Sequence, residues 1–338
     1  MKVLVTGGAG FIGANYVLRR LRTTDDQVTV VDALTYAGNL ESLQSVEKNP
    51  ALKFHRADIT DADAIDAIFE EAKPDAVVHF AAESHVDRSI LGPRVFTSTN
   101  VLGTQVLLDA SKKQGVQRFV MVSTDEVYGS LGKTGLFTET SPLKPSSPYS
   151  ASKAAADLVA LSYHHTFGMD VVVTRCSNNY GPLQFPEKLI PLMIINALED
   201  KPLPVYGDGM QVRDWIHVED HCAAIDAVFA KGTAGEVYNI GSQNERPNIE
   251  IVKRILAHLG KAESLIRHVE DRLGHDRRYA IDPTKTEGAL GWVPEKKFED
   301  ALPATIDWYL ANRDWWERVR SGAYREYFEA NYAKRLAD

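Results

Sequence analysis

The first half of the chain alternates short apolar runs with segments whose apolar residues recur every three or four positions. The apolar runs cover 3–5, 28–31, 52–56, 75–80, 118–122 and 171–175. The segments of helical period cover 16–21, 62–72, 93–114 and 149–167. Strands that alternate with helices in this way form parallel sheets, because each helix carries the chain back to the same edge. The pattern therefore predicts an α/β fold.

The regular alternation loosens from Pro182 onward, where prolines and glycines become frequent. One more strand–helix unit of the large sheet is expected at 213–229, followed by a strand at 236–240. Further helices are predicted at 249–259, 302–310 and 315–332. We therefore expect a domain at 1–181, to which the units at roughly 211–241 return, and a smaller mixed α/β C-terminal region that takes up most of 182–338.

A glycine-rich turn joins the first strand to the first helix. Gly7, Gly10 and Gly13 follow the apolar run, and glycines at these places let the backbone approach a pyrophosphate at the helix N-terminus. Asp32 ends the second strand, where an acid accepts hydrogen bonds from the adenosine ribose. No arginine follows at 33–36, so NAD is expected rather than NADP, whose extra phosphate Asp32 would repel. The predicted sheet is then a doubly wound, Rossmann-type sheet, and the first domain binds NAD.

Two further strand ends carry residues that suit a dinucleotide. Asp58 follows the third strand and is a candidate for hydrogen bonding near the adenine amino group, with a solvated loop acid as the alternative. Ala81 and Ala82 follow the fourth strand. Their small side chains let a cofactor lie against the backbone.

The most unusual stretch for chemistry is Thr124-Asp125-Glu126, directly after the apolar run at 118–122. Ligands of open α/β sheets bind beyond the carboxyl ends of the strands, so these side chains stand where a reaction would occur. Tyr149 and Lys153 lie four apart on a predicted helix and share one face. Adjacent strand residues point to opposite faces, so the backbone must leave strand geometry at Thr124 or Asp125 if both acids face one substrate. A solvated acidic turn is the alternative.

Composition narrows the possible partners. The net charge of −8 argues against a nucleic-acid partner, because no basic excess exists to neutralise phosphates. Two cysteines cannot build a disulfide framework, which favours a reducing, cytoplasmic location. No apolar run approaches the length of a membrane span, and no signal peptide is expected.

His217 and His221 have the spacing of metal ligands on a helix. No third ligand is evident, and the chemistry suggested by the other residues needs no metal. We therefore expect a helix-capping or buried role for the pair, and no metal site.

Taken together, the glycine turn, Asp32 and the Tyr149–Lys153 pair resemble the extended short-chain dehydrogenase/reductase family. Within it, the chain resembles the dTDP-glucose 4,6-dehydratases over nearly its whole length. The segments that carry this resemblance are 81–87, 123–129, 176–182, 185–191, 213–215 and 271–276. Leu273 departs from the proline that this group carries in a loop thought to clasp the nucleotide, so a less rigid loop is expected.

The resemblance implies NAD-dependent dehydration of a nucleoside-diphosphate glucose, most closely dTDP-glucose, to the 4-keto-6-deoxy sugar nucleotide. Oxidation at C4 makes the C5 proton acidic, the C6 hydroxyl is eliminated, and hydride returns to C6. Tyr149 would take the C4 hydroxyl proton, with Lys153 and the nicotinamide charge lowering its pKa, and Thr124 would hydrogen-bond the C4 oxygen. Glu126 would take the C5 proton and Asp125 would protonate the C6 oxygen.

The resemblance also implies binding residues and an assembly. The residues expected to contact NAD are Gly7, Gly10, Phe11, Ile12, Gly13, Asp32, Thr35, Asp58, Ile59, Ala81, Ala82, Thr99, Tyr149, Lys153 and Asn179. Those expected to contact the sugar nucleotide are Ser84, Thr124, Asn178, Lys188, Leu189, Pro204, Tyr206, Arg213, Asn248, Arg272 and His275. The helices at 93–114 and 149–167 are expected to pair with a second copy in a homodimer.

Three other functions stay open. A UDP-glucose 4,6-dehydratase would share every motif named above. A sugar-nucleotide 4-epimerase would need Tyr149, Lys153 and Thr124 but has no use for Asp125 and Glu126. A non-catalytic NAD-sensing protein need not retain Tyr149, Lys153 and both acids together.

Overall fold

The computed structural model describes residues 1–320. Its centre is a seven-stranded parallel sheet in the order β10-β6-β5-β4-β1-β2-β3. These strands are β1 (Lys2–Thr6), β2 (Gln27–Asp32), β3 (Leu52–Arg56), β4 (Ala76–His79), β5 (Arg118–Thr124), β6 (Val171–Cys176) and β10 (Val237–Ile240). The order runs outward in both directions from β1, which is the doubly wound arrangement. The predicted fold class is confirmed.

Helices cover both faces of this sheet. In chain order the helices of residues 1–320 are α1 (Phe11–Thr23), α2 (Ala62–Ala72), α3 (Val86–Leu91), α4 (Pro93–Phe96), α5 (Gly103–Gln114), α6 (Pro148–Phe167), α7 (Leu189–Leu198), α8 (Val218–Lys231), α9 (Asn248–Leu259), α10 (Thr284–Leu290), α11 (Phe298–Ala311) and α12 (Arg313–Val319). Of these, α7, α9, α11 and α12 surround a separate core. Side chains alternate along each strand, so Val3 and Val5 pack with α1 and α8, while Leu4 packs with α2, α5 and α6. The central strands are buried on both faces of the sheet, which explains why their sequences are unbroken apolar runs.

The predicted helix at 93–114 is present but not uniform. A π-helical turn, Thr97–Leu102, separates α4 from α5. Asn100 is buried in this turn, and its side chain both accepts from the Glu83 amide nitrogen, at 2.8 Å, and donates to the Glu83 carbonyl oxygen, at 3.0 Å. The turn therefore holds the segment that follows β4.

The remaining strands are β7 (Asn178–Tyr180), β8 (Leu203–Tyr206), β9 (Val212–His217), β11 (Glu245–Pro247) and β12 (Ile266–Val269). They form a three-stranded sheet, β11-β9-β7, and a parallel pair, β12-β8. A second core surrounds the buried face of α7 and includes Trp215, Ile255, Tyr309 and Trp316.

The strand predicted from Arg213 onward does not belong to the large sheet, so that expectation is wrong. This strand, β9, pairs with β7 and β11, and only α8 and β10 return to the large sheet. The chain leaves the large sheet at the end of β6 and, after Ser177 alone, starts β7. Local pattern marks a strand but does not reveal its partner, because pairing joins residues far apart in sequence.

Near the C-terminus, α11 contains the helix predicted at 302–310. The helix predicted at 315–332 lies only partly within the described residues. Its first part corresponds to α12, and everything after residue 320 lies outside them. Within 1–320, no helix is long and apolar enough to cross a membrane.

The glycine-rich turn gives a testable prediction. A Cβ at Gly13 would lie 2.2 Å from the Gly7 carbonyl oxygen, whereas a Cβ on the exposed Gly288 of α10 would meet nothing within 4 Å. Gly13→Ala should therefore destabilise the fold by about 1–3 kcal/mol, because backbone must move. Gly288→Ala should stabilise it by up to about 1 kcal/mol. Urea unfolding of both variants measures the difference, and equal effects would contradict the packing described.

Candidate active site

The carboxyl ends of the central strands border one deep cleft. All five residues predicted to be catalytic line it, and so do all residues predicted to contact the cofactor. These residues come from the segments after β1, β2, β3, β4, β5 and β6, the π-helical turn and α6. The cleft lies where the strand order reverses between β1 and β4, the position at which open α/β sheets bind ligands.

The glycine turn forms one wall of this cleft. Gly7 has a φ of +68°, and a Cβ there would lie 2.6 Å from the Ala81 amide nitrogen. The end of β1 and the segment after β4 therefore approach each other more closely than any side chain would permit. Gly10 caps α1 without a side-chain hydrogen bond, so the first amides of α1 remain available to a ligand. A free helix N-terminus behind a glycine turn suits a pyrophosphate.

Asp32 is held in place by the backbone around it. Its carboxylate accepts from the Ala9 amide at 3.0 Å and from the Leu34 amide at 2.8 Å. Burial raises its pKa, while the same two amides oppose the rise. No arginine lines the described part of the cleft. A fixed acid without a nearby cation fits the ribose hydroxyls of NAD and disfavours the 2′-phosphate of NADP.

Asp58 lies at the exposed margin of the cleft. One of its oxygens accepts from both the amide and the hydroxyl of Thr60, at 2.9 and 2.8 Å. Asp58 therefore stabilises its own turn, and both the adenine and the loop interpretation remain compatible with its position.

The two adjacent acids sit on a 3-10 helix, Asp125–Tyr128, that starts where β5 ends. Thr124 caps this helix, because its hydroxyl accepts from the Glu126 amide at 3.3 Å. The backbone thus leaves strand geometry at the expected place, and both acids line the cleft. Asp125 is 2% exposed, and its Oδ2 atom has no hydrogen-bond partner within the described residues.

The two carboxyls have different electrostatic surroundings. Burial, then Glu126 and Asp214, raise the pKa of Asp125 well above its ordinary value. The pKa of Glu126 is also raised by desolvation, but Arg272, Arg213 and Lys188 oppose this rise. The pKa values of both carboxyls are therefore raised, that of Asp125 more strongly, and more of the neighbouring cations act on Glu126 than on Asp125.

Tyr149 and Lys153 project from the first turns of α6. Ser147 and Ser150 form a reciprocal capping box that fixes the start of this helix. The Lys153 ammonium donates to the Val122 carbonyl at 2.9 Å. Burial raises the pKa of Tyr149 well above its ordinary value, followed by the charge of Glu126, and burial lowers the pKa of Lys153. The protein alone therefore does not give Tyr149 a low pKa.

Only some of the predicted sugar-nucleotide residues line the cleft. Those that do are Ser84, Thr124, Asn178 and Lys188. The Lys188 ammonium donates to the Ser84 carbonyl at 2.8 Å, which places the two side by side. Leu189 instead packs against the second core, and Pro204 is buried in β8 opposite Arg267 of β12. The side chains of these last two residues do not reach the cleft.

Another group of the predicted residues gathers around Asp87, away from the cleft lining. The Tyr206 hydroxyl donates to Asp87 at 2.8 Å, and the Arg272 guanidinium lies 3.6 Å from the same carboxylate. His275 meets the Tyr206 ring edge-on at 5.9 Å between centroids. The loop that carries Arg272 and His275 also exposes 78% of Leu273.

Arg213 is buried and Asn248 partly buried, and both lie outside the cleft lining. Arg213 donates to the Asp276 carbonyl at 3.0 Å and lies 4.2 Å from the centroid of the Tyr279 ring. Its charge nevertheless reaches Asp125 and Glu126. The Asn248 Oδ1 atom is buried without a hydrogen-bond partner in the described part of the chain. An unsatisfied buried acceptor of this kind suits a ligand donor.

Several cleft residues were not anticipated from the sequence. The main ones are Glu83, Cys176, Ser177, Gln184, Phe185 and Glu187. Glu187 is buried, forms an ion pair with Arg88 at 3.3 Å, and has its pKa raised by burial to about 7. A signal existed, because Glu187 directly precedes Lys188 in one of the segments that carry the resemblance.

The two spaced histidines have structural roles, as expected. The His217 ring accepts from the Glu219 amide at 3.3 Å and caps α8. His221 is fully buried, hydrogen-bonds Asn179 at 2.8 Å, and has its pKa lowered by burial to about 3. Within residues 1–320, no cluster of three or more ligand side chains could hold a metal ion.

The doubly wound sheet, the glycine turn and the Tyr–Lys helix together define an extended short-chain dehydrogenase/reductase. A family model described as GDP-mannose 4,6 dehydratase matches residues 4–305. The dTDP-glucose 4,6-dehydratase of Neisseria meningitidis serogroup B is 53% identical in an alignment 345 residues long, which covers 96% of this chain and 97% of that protein. The chain belongs to the dTDP-glucose 4,6-dehydratase family.

Solved structures agree with this placement. The crystal structure of dTDP-glucose 4,6-dehydratase from Streptomyces venezuelae is 53% identical, covers 94% of this chain and 100% of that chain, and superposes with a TM-score of 0.91. The UDP-glucose 4-epimerase of Thermotoga maritima is 31% identical, covers 93% and 100% of the two chains, and gives a TM-score of 0.87. The fold is thus shared by enzymes with different reactions.

The buried Glu187 gives a prediction about pH and stability. A carboxyl whose pKa rises from 4.5 to about 7 on folding holds its proton more tightly when folded, so its contribution falls as pH increases between these values. The parent should therefore lose up to about 3 kcal/mol of unfolding free energy across this window through this one group. Glu187→Gln should lack that loss. Urea unfolding at several pH values tests this, and parallel pH curves for parent and variant would contradict it.

Proposed function

We propose that this chain catalyses the NAD-dependent dehydration of dTDP-glucose to the 4-keto-6-deoxy sugar nucleotide and water. The observation that carries the proposal is the pair of carboxyls on the 3-10 helix after β5, facing the same cleft as Tyr149 and Lys153. A redox reaction at C4 alone would need only Tyr149, Lys153 and Thr124. Two further carboxyls, one to take a proton and one to give a proton, suit an elimination.

The chemistry of the substrate explains why both parts are needed. A C6 hydroxyl on an unactivated sugar leaves poorly, and its neighbouring C5 hydrogen is not acidic. A ketone at C4 makes the C5 proton acidic, because the carbanion becomes an enolate. NAD, when bound, supplies the redox capacity for C4 oxidation and for the later reduction at C6.

NAD binding is assigned to the walls of the cleft that come from the large sheet. Gly7, Gly10 and the free amides of α1 would hold the pyrophosphate, and Asp32 the adenosine ribose. The Streptomyces venezuelae relative was solved with NAD and dTDP bound. The domain division belongs to the same proposal: residues 1–181, joined by α8 and β10 from the segment near 211–241, bind mainly NAD, and the rest of 182–338 binds mainly the sugar nucleotide.

Tyr149 acts on the C4 hydroxyl proton in this proposal. Thr124 and Tyr149 interact through their hydroxyls, so both can hydrogen-bond the same C4 oxygen. Because the protein raises the Tyr149 pKa even with Lys153 in place, phenolate formation depends on the positive charge of the bound nicotinamide in addition to that of Lys153. The Lys153 ammonium would also hydrogen-bond the nicotinamide ribose.

Glu126 and Asp125 then divide the elimination. Glu126, favoured in its ionised form by Arg272, Arg213 and Lys188, takes the C5 proton. Asp125, kept protonated by burial, gives its proton to the departing C6 oxygen. The unpartnered Oδ2 atom of Asp125 is available for that contact.

The sugar nucleotide would be held by residues of the second region. Lys188, Arg213 and Arg272 are the cations available for its diphosphate, and arginine suits bidentate phosphate recognition. Asn178 and Ser84 line the cleft near the sugar. Thymidine is proposed over uridine because the relatives at 53% identity carry dTDP-glucose in their names, and a UDP-glucose dehydratase is the alternative.

A sugar-nucleotide 4-epimerase is the second candidate. It is favoured by the near-identical fold of the Thermotoga maritima enzyme. It is disfavoured by the two acids, which an epimerase does not need. Non-catalytic NAD sensing ranks lower, because a sensor has no use for the complete set of five chemical groups.

Joint replacement of the two acids separates these reactions. Asp125→Asn with Glu126→Gln keeps size and hydrogen-bonding atoms but removes acid and base. C4 oxidation should survive, whereas elimination should slow by about 10²–10⁴-fold per lost proton transfer. Reduced-nicotinamide absorbance should rise and persist in a single turnover with dTDP-glucose.

Tyr149→Phe is the matched control, since it blocks the earlier step and should show no such absorbance. Product analysis completes the test, because the 4-keto product absorbs strongly in alkali and an epimerised sugar does not. Dehydration at the parental rate in the double variant would refute the proposal.

We also propose that two copies pair through the helical segments 93–114 and 149–167, in a four-helix bundle. The support is a set of exposed apolar side chains on or beside these helices: Leu91, Val95, Leu102, Leu158 and Phe167.

A cytoplasmic location stays a prediction from the sequence. Both cysteines within the described residues are free and buried, which suits a reducing compartment.

Sedimentation of two matched variants tests the dimer. Leu158 of α6 is 59% exposed and Leu310 of α11 is 47% exposed. Leu158→Glu should give a monomer, because the two-fold axis would bring two glutamate charges, one from each copy, into the apolar four-helix interface. Leu310→Glu should remain dimeric. A monomeric parent would refute the dimer. A dimer lost only in the Leu310 variant would show that the interface lies elsewhere.

A further inference from the structure

The catalytic face of α6 carries a third ionisable side chain that the proposed reaction does not use. Tyr149, Lys153 and Asp157 follow one another at intervals of four residues, so all three lie on one face of the helix. Asp157 is completely buried and forms an ion pair with Arg175 of β6, which is 3% exposed. The Arg175 Nε atom lies 2.9 Å from the Asp157 carboxylate.

This ion pair is fixed from behind by a second layer of buried groups. Arg175 donates to the Tyr128 hydroxyl at 2.9 Å, and that hydroxyl donates to the Asn239 side chain at 2.8 Å. The guanidinium also lies 4.9 Å from the centroid of the Tyr128 ring. The carboxylate of Asp157 therefore has a defined position relative to the helix face that carries Lys153.

A buried ion pair of this kind contributes little to stability. Removing two charges from water costs several kcal/mol per ion, and well-packed apolar residues of similar volume often serve the fold equally well. Burial indeed raises the pKa of Asp157, and Arg175 offsets that rise. A role in stability alone thus does not account for the pair, and its place beside Lys153 suggests another.

Lys153 needs a negative neighbour to remain an ammonium ion. It is 4% exposed, and burial lowers its pKa. The ionisable groups that interact with it electrostatically are Asp157 of α6, His79 of β4 and Cys176 of β6. Tyr149 lies on the same face of α6, Arg175 is paired with Asp157, and Asp125 and Glu126 of the 3-10 helix after β5 act on Tyr149. Burial keeps the pKa of His79 at about 3 and that of Cys176 at about 12, so both are neutral near pH 7.

The two acids of the 3-10 helix both raise the pKa of Tyr149, and neither is among the groups that shift the pKa of Lys153. Asp157, in contrast, is the first group that opposes the effect of burial on Lys153. It is therefore the anion best placed to compensate the lysine charge.

We infer that Asp157 is a positioning residue that keeps Lys153 protonated beside Tyr149, with the Arg175–Tyr128–Asn239 layer holding its carboxylate in place. The inference rests on the proposed role of Lys153 in the site. A phenolate with an ammonium and a phenol with an amine contain the same number of protons. A carboxylate next to the lysine favours the first arrangement, which is the form that can accept the C4 hydroxyl proton.

The test is an ultraviolet titration of the Tyr149 phenolate in the NAD-loaded protein. Each variant is measured against the same variant carrying Tyr149→Phe, so that only this phenol contributes. Asp157→Asn should move the phenolate titration upward by about one pH unit or more, because Lys153 then loses the anion that favours its ammonium form, and a nearby opposite charge shifts a pKa by about 1–3 units. The acidic limb of the kcat/KM profile should move in the same direction.

Tyr128→Phe is the matched control. It removes one hydroxyl from the layer that holds the carboxylate but leaves both charges, so its phenolate should titrate closer to the parental pH than that of Asp157→Asn. If the network only supports the fold, Tyr128→Phe and Asp157→Asn would give the same titration. That result, or a parental titration in Asp157→Asn, would overturn the inference.

A second variant covers the case in which Asp157→Asn fails to fold because Arg175 is left unpaired. Asp157→Asn with Arg175→Gln replaces both charges by amides, and its titration should move in the same upward direction. No movement in the double variant would overturn the inference. The titration needs no sugar substrate, so it remains informative even if dTDP-glucose is not dehydrated and the proposed function fails.

Discussion

The divergence of the parallel sheet at β1 is the constraint on which the rest of this molecule depends. The strand order runs outward from β1 in both directions, so the loops beyond the carboxyl ends part and leave a cleft. Close approach at this point is possible only because Gly7 has no side chain to meet the backbone near Ala81. A helix N-terminus, a fixed acid and the reactive side chains all face the space that this divergence creates.

Burial is what turns these side chains into a set with different proton affinities. Desolvation is the first cause of the pKa shifts of Asp125, Glu126, Tyr149 and Lys153, and in each it favours the neutral form. Charges from the second region oppose this effect at the two adjacent acids: Arg213 acts on both, whereas Arg272 and Lys188 are the further cations that act on Glu126. Arg213 is anchored in the small sheet, so the proton affinities of the two acids at the end of β5 depend on the assembled molecule.

The fold by itself does not decide the reaction. A UDP-glucose 4-epimerase shares the architecture at a TM-score of 0.87, so function must come from side chains placed on a common framework. The short 3-10 helix after β5 is the feature that matters here, because it turns Asp125 and Glu126 toward one cleft instead of opposite faces of the sheet. Thr124, which would hydrogen-bond the C4 oxygen, caps this helix and so helps to place the two acids that would act at C5 and C6.

By itself, the sequence determined the strands and the long helices of the first half, the helix at 62–72 even to its ends, but not α3 or the π-helical turn. In a sheet covered on both faces the central strands are apolar and the long helices amphipathic, so local pattern is sufficient for them. The residue types at strand ends could be found for the same reason, which is why Thr124 and Asp32 were anticipated. Only the tertiary structure decided that β9 pairs outside the large sheet, and that Glu187 faces Arg88 from 99 positions away. Strand pairing and desolvation depend on which distant segments pack together, and no local pattern records that.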